Sequence, residues 1–440
     1  MASAYFEKTA GLTVMQQRLF AAKEPPERYW VDDRTGYVMR TVTRSDPQLP
    51  PVSTTMGSMP TDASPHDLRA AADLTWLRLR TRPAPPQGGV VRVVDLFCGC
   101  GAMSLGLAEA CRALGLQFDA VGAYDIDPGA LRVYGANFGV APSAPVDLAT
   151  VLQADLEAEP SAEERAMVEQ AGEVHGALAG PPCQGHSTLN NRTRHTDPKN
   201  ALYFLIARFA KLFTPRWIIV ENVPTVRQDR SRVVQRTVDS LDALGYSVAE
   251  GIADLWSIGV PQTRRRHVLV AARSDQRSLQ SREIADLVVP YATRARAVQW
   301  AIEDLLDAPK GSPLDRVKTP DPQNQVRIDY LFDNNLYDLP DRMRPDCHRY
   351  KEHTYQSVYG RMKWNEPAPT ITSGFETMGR GRFVHPRRRR TLTAREAARL
   401  QFLPDYVDFA GISERATLDR LIGNAVPPKL SYVLGLELLR

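Results

Sequence analysis

The chain of 440 residues has no apolar run approaching the roughly 20 residues needed to span a membrane, and no apolar signal-peptide core at its N-terminus. A cytoplasmic protein is therefore expected. Cysteine is scarce. The five residues Cys98, Cys100, Cys111, Cys183 and Cys347 are odd in number and scattered, which speaks against a disulfide framework and suits a reducing compartment. Cys98-Gly99-Cys100 has one intervening residue and no second pair, so neither a zinc site nor any other metal site is expected. Net charge is only +4, but the basic residues cluster, and a local cationic face is what nucleic-acid binding needs. With 43% hydrophobic and 24% charged residues, the chain has ample material for the cores of two or three globular domains.

The dinucleotide fingerprint is also missing. Val91 to Phe97 is an apolar run of strand length that leads into Cys98-Gly99-Cys100-Gly101 and a helical pattern, but the next glycine, Gly106, comes two positions late for G-x-G-x-x-G. This disfavours a nicotinamide-dependent oxidoreductase. The bulky Met103 also sits where a pyrophosphate would want free amides. A nucleoside without phosphates fits better, and S-adenosylmethionine is the commonest such cofactor. Phe118 to Ala123 reads as the next strand, and Asp125 follows it at the place where a carboxylate accepts hydrogen bonds from ribose hydroxyls.

The alternation of strands and helices continues. Val151 to Asp155 reads as a third strand, and Ser161 to Ala171 as a helix with a Ser161/Glu164 capping box. Ala177-Leu178-Ala179 forms a strand feeding Gly180-Pro181-Pro182-Cys183-Gln184-Gly185. A helix from about Ala201 to Phe213, the strand Trp217 to Val220, a helix closed by Gly245 and a strand from His267 to Ala271 complete the pattern. The fold class expected is α/β, with a mainly parallel sheet of the Rossmann-like kind. Ligands of such sheets lie beyond the carboxyl ends of the strands, where Asp125, Asp155, Cys183 and Glu221 fall. A lone cysteine is usually packing material. Four polar or reactive side chains at successive strand ends are harder to dismiss.

Residues 1–90 read as an N-terminal extension of unknown role. Within it Arg28 to Val31 and Gly36 to Met39 could pair as a hairpin and Leu68 to Leu79 could be a helix, ending in a linker near Gly88-Gly89. Residues 91–274 are expected to form the catalytic and cofactor domain, 275–386 a smaller base-reading domain, and 387–440 a return to the catalytic domain.

These motifs together resemble the DNA cytosine-5 methyltransferase family. Asp95-Leu96-Phe97-Cys98-Gly99-Cys100-Gly101 resembles its cofactor loop, Gly180 to Gly185 its nucleophile loop, and Glu221-Asn222-Val223 its acidic strand end. Gln262-Thr263-Arg264-Arg265-Arg266 fits its Gln-x-Arg-x-Arg, while Leu392 to Gln401 and Gly423-Asn424-Ala425-Val426-Pro427-Pro428 match its last blocks in order. The resemblance implies S-adenosylmethionine as cofactor, lined by Phe97, Gly99, Gly101, Asp125, Ile126, Asp155, Asn424 and Val426. It implies Cys183 as covalent catalyst on cytosine carbon 6, Glu221 on ring nitrogen N3, Arg266 on the carbonyl oxygen of the base and Arg264 supporting the loop. Double-stranded DNA is the implied partner, bound by a monomer with possible association with restriction or defence proteins. Ser187, Arg192 and Arg194 in the polar stretch after the nucleophile would close on a flipped base, Thr370 and the basic residues Arg380 and Arg382 would meet DNA, and Arg387 to Arg390 would add a cationic edge. Three residues depart from the pattern: Ala102, His186 and Lys199. Two rivals share the fold, an RNA (transfer RNA) cytosine methyltransferase and a catalytically silent DNA-binding regulator. The intact set Cys183, Glu221 and Arg266 argues against the second.

Overall fold

The computed structural model describes residues 25–140, 144–182, 202–275, 279, 281, 283–308, 311–349 and 358–440. Near the start, β1 (Glu27–Val31), β2 (Tyr37–Val42) and β3 (Val52–Ser58) form an antiparallel sheet in that order. The expected hairpin is present, its turn closed by Asp32 Oδ1, which accepts the amides of Arg34 and Thr35, and β3 extends it. Helix α1 (Leu68–Arg78) follows, capped by the Asp67 side chain, which accepts the Ala70 amide.

A six-stranded sheet forms the centre, built from β4 (Val90–Leu96), β5 (Gln117–Tyr124), β6 (Gly176–Ala179), β7 (Trp217–Asn222), β8 (Tyr246–Asp254) and β9 (Arg265–Arg273). Its order is β5-β4-β6-β7-β9-β8. The first four strands are parallel, whereas β9 runs antiparallel to both β7 and β8. β6 and β7 are buried along their whole length, because separate apolar clusters cover the two faces of the sheet. Helices α2 (Ala102–Ala113), α3 (Pro128–Phe138), α4 (Leu148–Val151), α5 (Ala162–Ala171), α6 (Leu205–Phe213) and α7 (Val233–Ala243) fill the connections.

One expected strand is absent. Val151 to Asp155 adds nothing to the sheet. Asp147 instead caps the single turn of α4, and the amide of Gln153 donates to Glu164 Oε1 at 2.9 Å, with its side chain on Glu164 Oε2. Glu164 closes the expected capping box of α5 and also pairs with Arg208, so this buried carboxylate draws the segment away from the sheet. Conversely, β8 is a strand that the apolar pattern did not reveal. Its neighbour β9 is longer than the apolar run His267 to Ala271.

Beyond β9 the chain becomes irregular. Helix α8 (Pro322–Asp333) anchors a small separate core of Ile328, Leu331, Leu339, Val358, Tyr359, Met378 and Val384. Helices α9 (Ala394–Leu400), α10 (Arg415–Asn424) and α11 (Pro428–Leu439) then return to the main body, and α11 packs along α2. Gly106 makes that approach possible, since a Cβ there would stand 1.9 Å from the Pro428 carbonyl oxygen.

Candidate active site

The carboxyl ends of β4 and β5 meet in one tight junction. Phe97, Gly99 and Gly101 all take positive φ, at 55°, 53° and 80°, and so turn the backbone sharply out of β4. The Gly99 amide donates to Asp125 Oδ2 at 2.8 Å and the Asp127 amide to Oδ1 at 2.9 Å. Burial pushes the Asp125 carboxyl above its ordinary range, opposed by these backbone bonds. Ile126 is 66% exposed although it is a large apolar residue, and a Cβ on Gly99 would meet nothing within 4 Å. An apolar shelf, open space over a glycine and a half-buried carboxylate therefore lie side by side, which is the surface a nucleoside requires.

The last helices form the other wall. Cys100 Sγ contacts the Leu421 carbonyl oxygen at 3.7 Å, and Arg420 pairs with Asp127, the cap of α3. This brings α10 and the following Asn424, exposed, and Val426, buried, beside the glycine turn. Asp155 is different. It lies exposed in the loop after α4, where its Oδ1 accepts the Glu157 amide, so the expectation that it ends a strand is corrected.

Two strands farther along, Glu221 at the end of β7 pairs with Arg266 at the start of β9, Nε to Oε1 at 2.5 Å, with both side chains about nine-tenths buried. The Gly180 amide donates to the Leu96 carbonyl oxygen and Asn222 Nδ2 to the Pro181 carbonyl oxygen at 3.2 Å. The Gly180–Pro181 turn that leaves β6 is thus fastened to β4 and to the residue next to Glu221. Cys183 itself, with Ser187, Arg192, Arg194, His186 and Lys199, lies outside the described residues. Burial pushes the thiols of Cys100 and Cys111 up to about 12 and that of Cys98 well above its usual value, so none of these three is a thiolate near neutral pH.

Arg264 points inward. Its guanidinium is 2% exposed and donates to the carbonyl oxygens of Ile371 (2.8 Å) and Ala425 (3.1 Å). Gln262 makes matching bonds to Leu400, Gln401 and Ile371. One loop therefore ties together the segments around residues 371, 400 and 425. Thr370 donates to the Thr263 carbonyl oxygen on the same seam.

The basic residues farther out divide into two kinds. Arg380 is exposed, its stem over Gly374, whereas Arg382 is bound into the segment by Asp338 and the Tyr337 carbonyl oxygen. In the expected cationic edge, Arg389 pairs with Asp329 and Asp333, Arg390 with Glu396, and Arg388 bonds the Leu306 carbonyl oxygen. Local acids and carbonyls therefore draw in most of that edge. Asn222 and Arg420 were not singled out from the sequence. Asn222 stands inside the Glu-Asn-Val block and could have been found there, whereas nothing in the sequence marks Arg420.

A mainly parallel sheet whose strand ends carry an apolar shelf and a half-buried carboxylate, with an acid–guanidinium pair two strands away, has the architecture of a Rossmann-like methyltransferase. The family model for C-5 cytosine-specific DNA methylase matches residues 91–440, and the chain belongs to that family. It is 40% identical over 430 residues to the Type II methyltransferase M1.BsuMI of Bacillus subtilis, covering 97% of this chain and 98% of that one. It is also 30% identical over 362 residues to the Type II methylase M.HgiDII of Herpetosiphon aurantiacus, covering 79% and 95% of the two chains. Among solved structures the fold resembles the S. pombe Dnmt2 methyltransferase, with a TM-score of 0.50 at 19% identity over 79% of this chain and 98% of that one. The enzyme is accordingly a DNA cytosine-5 methyltransferase. Among the described residues no helix is long and apolar enough to cross a membrane.

Proposed function

We propose that this enzyme methylates carbon 5 of a cytosine flipped out of duplex DNA, through a covalent adduct of Cys183, as the modification half of a restriction-modification system. The observation that carries this reading is the buried Glu221–Arg266 pair near the Gly180–Pro181 turn, which is fastened to β4 and Asn222 and leads to Cys183 in the sequence. The names of the two Type II relatives support the restriction-modification setting.

The residues at the glycine turn fit S-adenosylmethionine. Asp125 would take the ribose hydroxyls, Ile126 and Phe97 would pack the adenine, Gly99 leaves room for close approach, and Asn424 and Val426 close the far side. The sulfonium supplies an electrophilic methyl group. On the protein side, the Cys183 thiolate adds to cytosine carbon 6, and the electron pair of the 5,6 bond becomes available at carbon 5. Glu221 hydrogen-bonds N3 and Arg266 the carbonyl oxygen, so the negative charge that the addition places on the ring is drawn off. The methyl group would arrive with its bond to sulfur broken, leaving neutral S-adenosylhomocysteine; carbon 5 would then give up its proton to water, and the Cys183–carbon bond would break to restore the double bond and return the thiolate. Arg264, spent on two carbonyls, holds the loop and does not touch the base. Ser187, Arg192 and Arg194 would close over the flipped base and the exposed Arg380 would meet a phosphate.

Incubation with labelled S-adenosylmethionine and separate DNA and RNA substrates tests the proposal. Label is expected on DNA cytosine only, and Cys183→Ser is expected to lose transfer while binding S-adenosylhomocysteine as before. Label on RNA would shift the reading to the RNA enzyme, and an active Cys183→Ser protein would end the covalent mechanism.

A further inference from the structure

The described part of the N-terminal segment is not a loose appendage. It inserts charged side chains into the body of the enzyme, and one of them stands out by what it holds. Asp73, in the middle of α1 and 5% exposed, receives two buried cations from distant parts of the chain. Lys429 Nζ lies 2.8 Å from its Oδ1 and Arg296 Nη1 lies 2.5 Å from its Oδ2. Each of these side chains is at most 7% exposed.

The position of Lys429 is unfavourable by itself. It occupies the first turn of α11, where the helix dipole repels a cation and burial removes its water. Asp73 is the acid that pairs with it among the described residues, while the rings of Tyr432 and Phe402 lie 4.8 and 5.8 Å away. A helix start held against its own dipole is there because something fixes it, and what it fixes is adjacent on both sides. Three to five residues upstream are Asn424 and Val426. Across the interface, Ser431 Oγ donates to the Met103 carbonyl oxygen at 2.7 Å and the Pro428 carbonyl sits against Gly106, so the first turn of α11 rests on the first turns of α2. Helix α2 begins directly after the Gly99–Gly101 turn.

We infer that Asp73 is a positioning residue: through Lys429 it sets the start of α11, and thereby the spacing between the Asn424–Val426 wall and the glycine turn across which the cofactor binds. This rests on the cofactor site proposed above and assigns a role to the N-terminal segment. The alternative is that Asp73 contributes to stability alone.

The full-length protein tests this by titration with S-adenosylhomocysteine and by steady-state methylation, well below the unfolding midpoint of each variant. Asp73→Asn is expected to weaken S-adenosylhomocysteine binding and raise the KM for the methyl donor about fivefold or more, with kcat at saturating donor nearly unchanged. Leu331→Ala, in the separate core of α8, serves as the comparison: it lowers the midpoint without changing cofactor affinity. If Asp73→Asn does not fold, Asp73→Glu keeps the charge but moves it by one methylene, and a smaller loss of affinity in the same direction is expected. A folded Asp73 variant with wild-type affinity overturns the inference. Wild-type protein that fails to bind S-adenosylhomocysteine overturns the cofactor reading instead, so the two failures are distinguishable.

Discussion

One region precedes the family motifs and another interrupts them, and the fold treats the two differently. In the N-terminal segment Val38, Val42, Met56, Ala72, Trp76 and Leu77 belong to the same buried cluster as Val93, Leu105 and Leu430 of the catalytic body. Around α8, by contrast, Ile328, Leu331 and Leu339 form a core of their own with Val358, Tyr359, Met378 and Val384. Polar groups follow the same division. Arg40 of β2 reaches Glu109 on α2 at 2.8 Å and the Tyr432 hydroxyl on α11 at 3.1 Å, entirely indoors. The ion pairs of Arg389 with Asp329 and Asp333 are solvent-exposed and local to the α8 region. A segment outside the family motifs can thus be packed into the main body, while the segment around α8 keeps a core of its own.

The largest expected effect breaks the first half of this comparison. Arg40→Ala strands the buried carboxylate of Glu109 with Arg112 as its remaining cation, and a cost of about 3–5 kcal/mol is expected. Because Arg40 joins β2 to α2 and α11, the whole catalytic body should lose stability together. Chemical denaturation would show one transition shifted to lower denaturant; a variant that loses only the N-terminal sheet, with the body intact, would refute the integration.

Leu331→Ala probes the second half and comes next in size, at about 2–4 kcal/mol for a fully buried leucine. The loss should be confined to the α8 core. S-adenosylhomocysteine binding is expected to survive while DNA binding weakens, measured by titration with each ligand. Equal loss of both would mean that the two cores unfold as one.

This division also explains what could be read from the sequence. β4, α2 and β5 were legible because an apolar run, a glycine turn and a helical period adjoin one another, and Asp125 and Glu221 were legible because they end such runs. β8 was not, since Tyr246–Asp254 alternates buried and half-buried positions around Glu250 and Gly251 and has no apolar run. Val151 to Asp155 misled because a short apolar run does not distinguish a strand from the end of one helical turn, and what decided it was Glu164 capturing Gln153. The partners of Arg264 were unreadable for another reason: they are backbone carbonyls 107 and 161 positions away, and a carbonyl carries no residue identity. Asp73 lay hidden in the same way, in a helix whose period was visible but whose partners were not.

The smallest expected effect sharpens the comparison by pH. In the body, burial pushes the Asp95 carboxyl up to about 7, partly offset by the Ser104 hydroxyl that donates to it at 2.6 Å. Its folded value lies above its unfolded one, so the folded state holds the proton longer, and stability falls as pH rises from about 4 to about 7. At the edge of the segment around α8 the sign is reversed. Burial depresses the fully buried His385 imidazole to about 4, so the folded state resists protonation and stability falls as pH drops from about 6.5 to about 4. Asp95→Asn removes the first slope and keeps the Ser104 contact, so its stability relative to wild type should be greater at pH 8 than at pH 5, by a few kcal/mol at most. His385→Gln should remove the second slope and leave the first. Unfolding midpoints across this pH range for the three proteins would check both, and a slope that persists in Asp95→Asn would show that the alkaline loss arises elsewhere in the body.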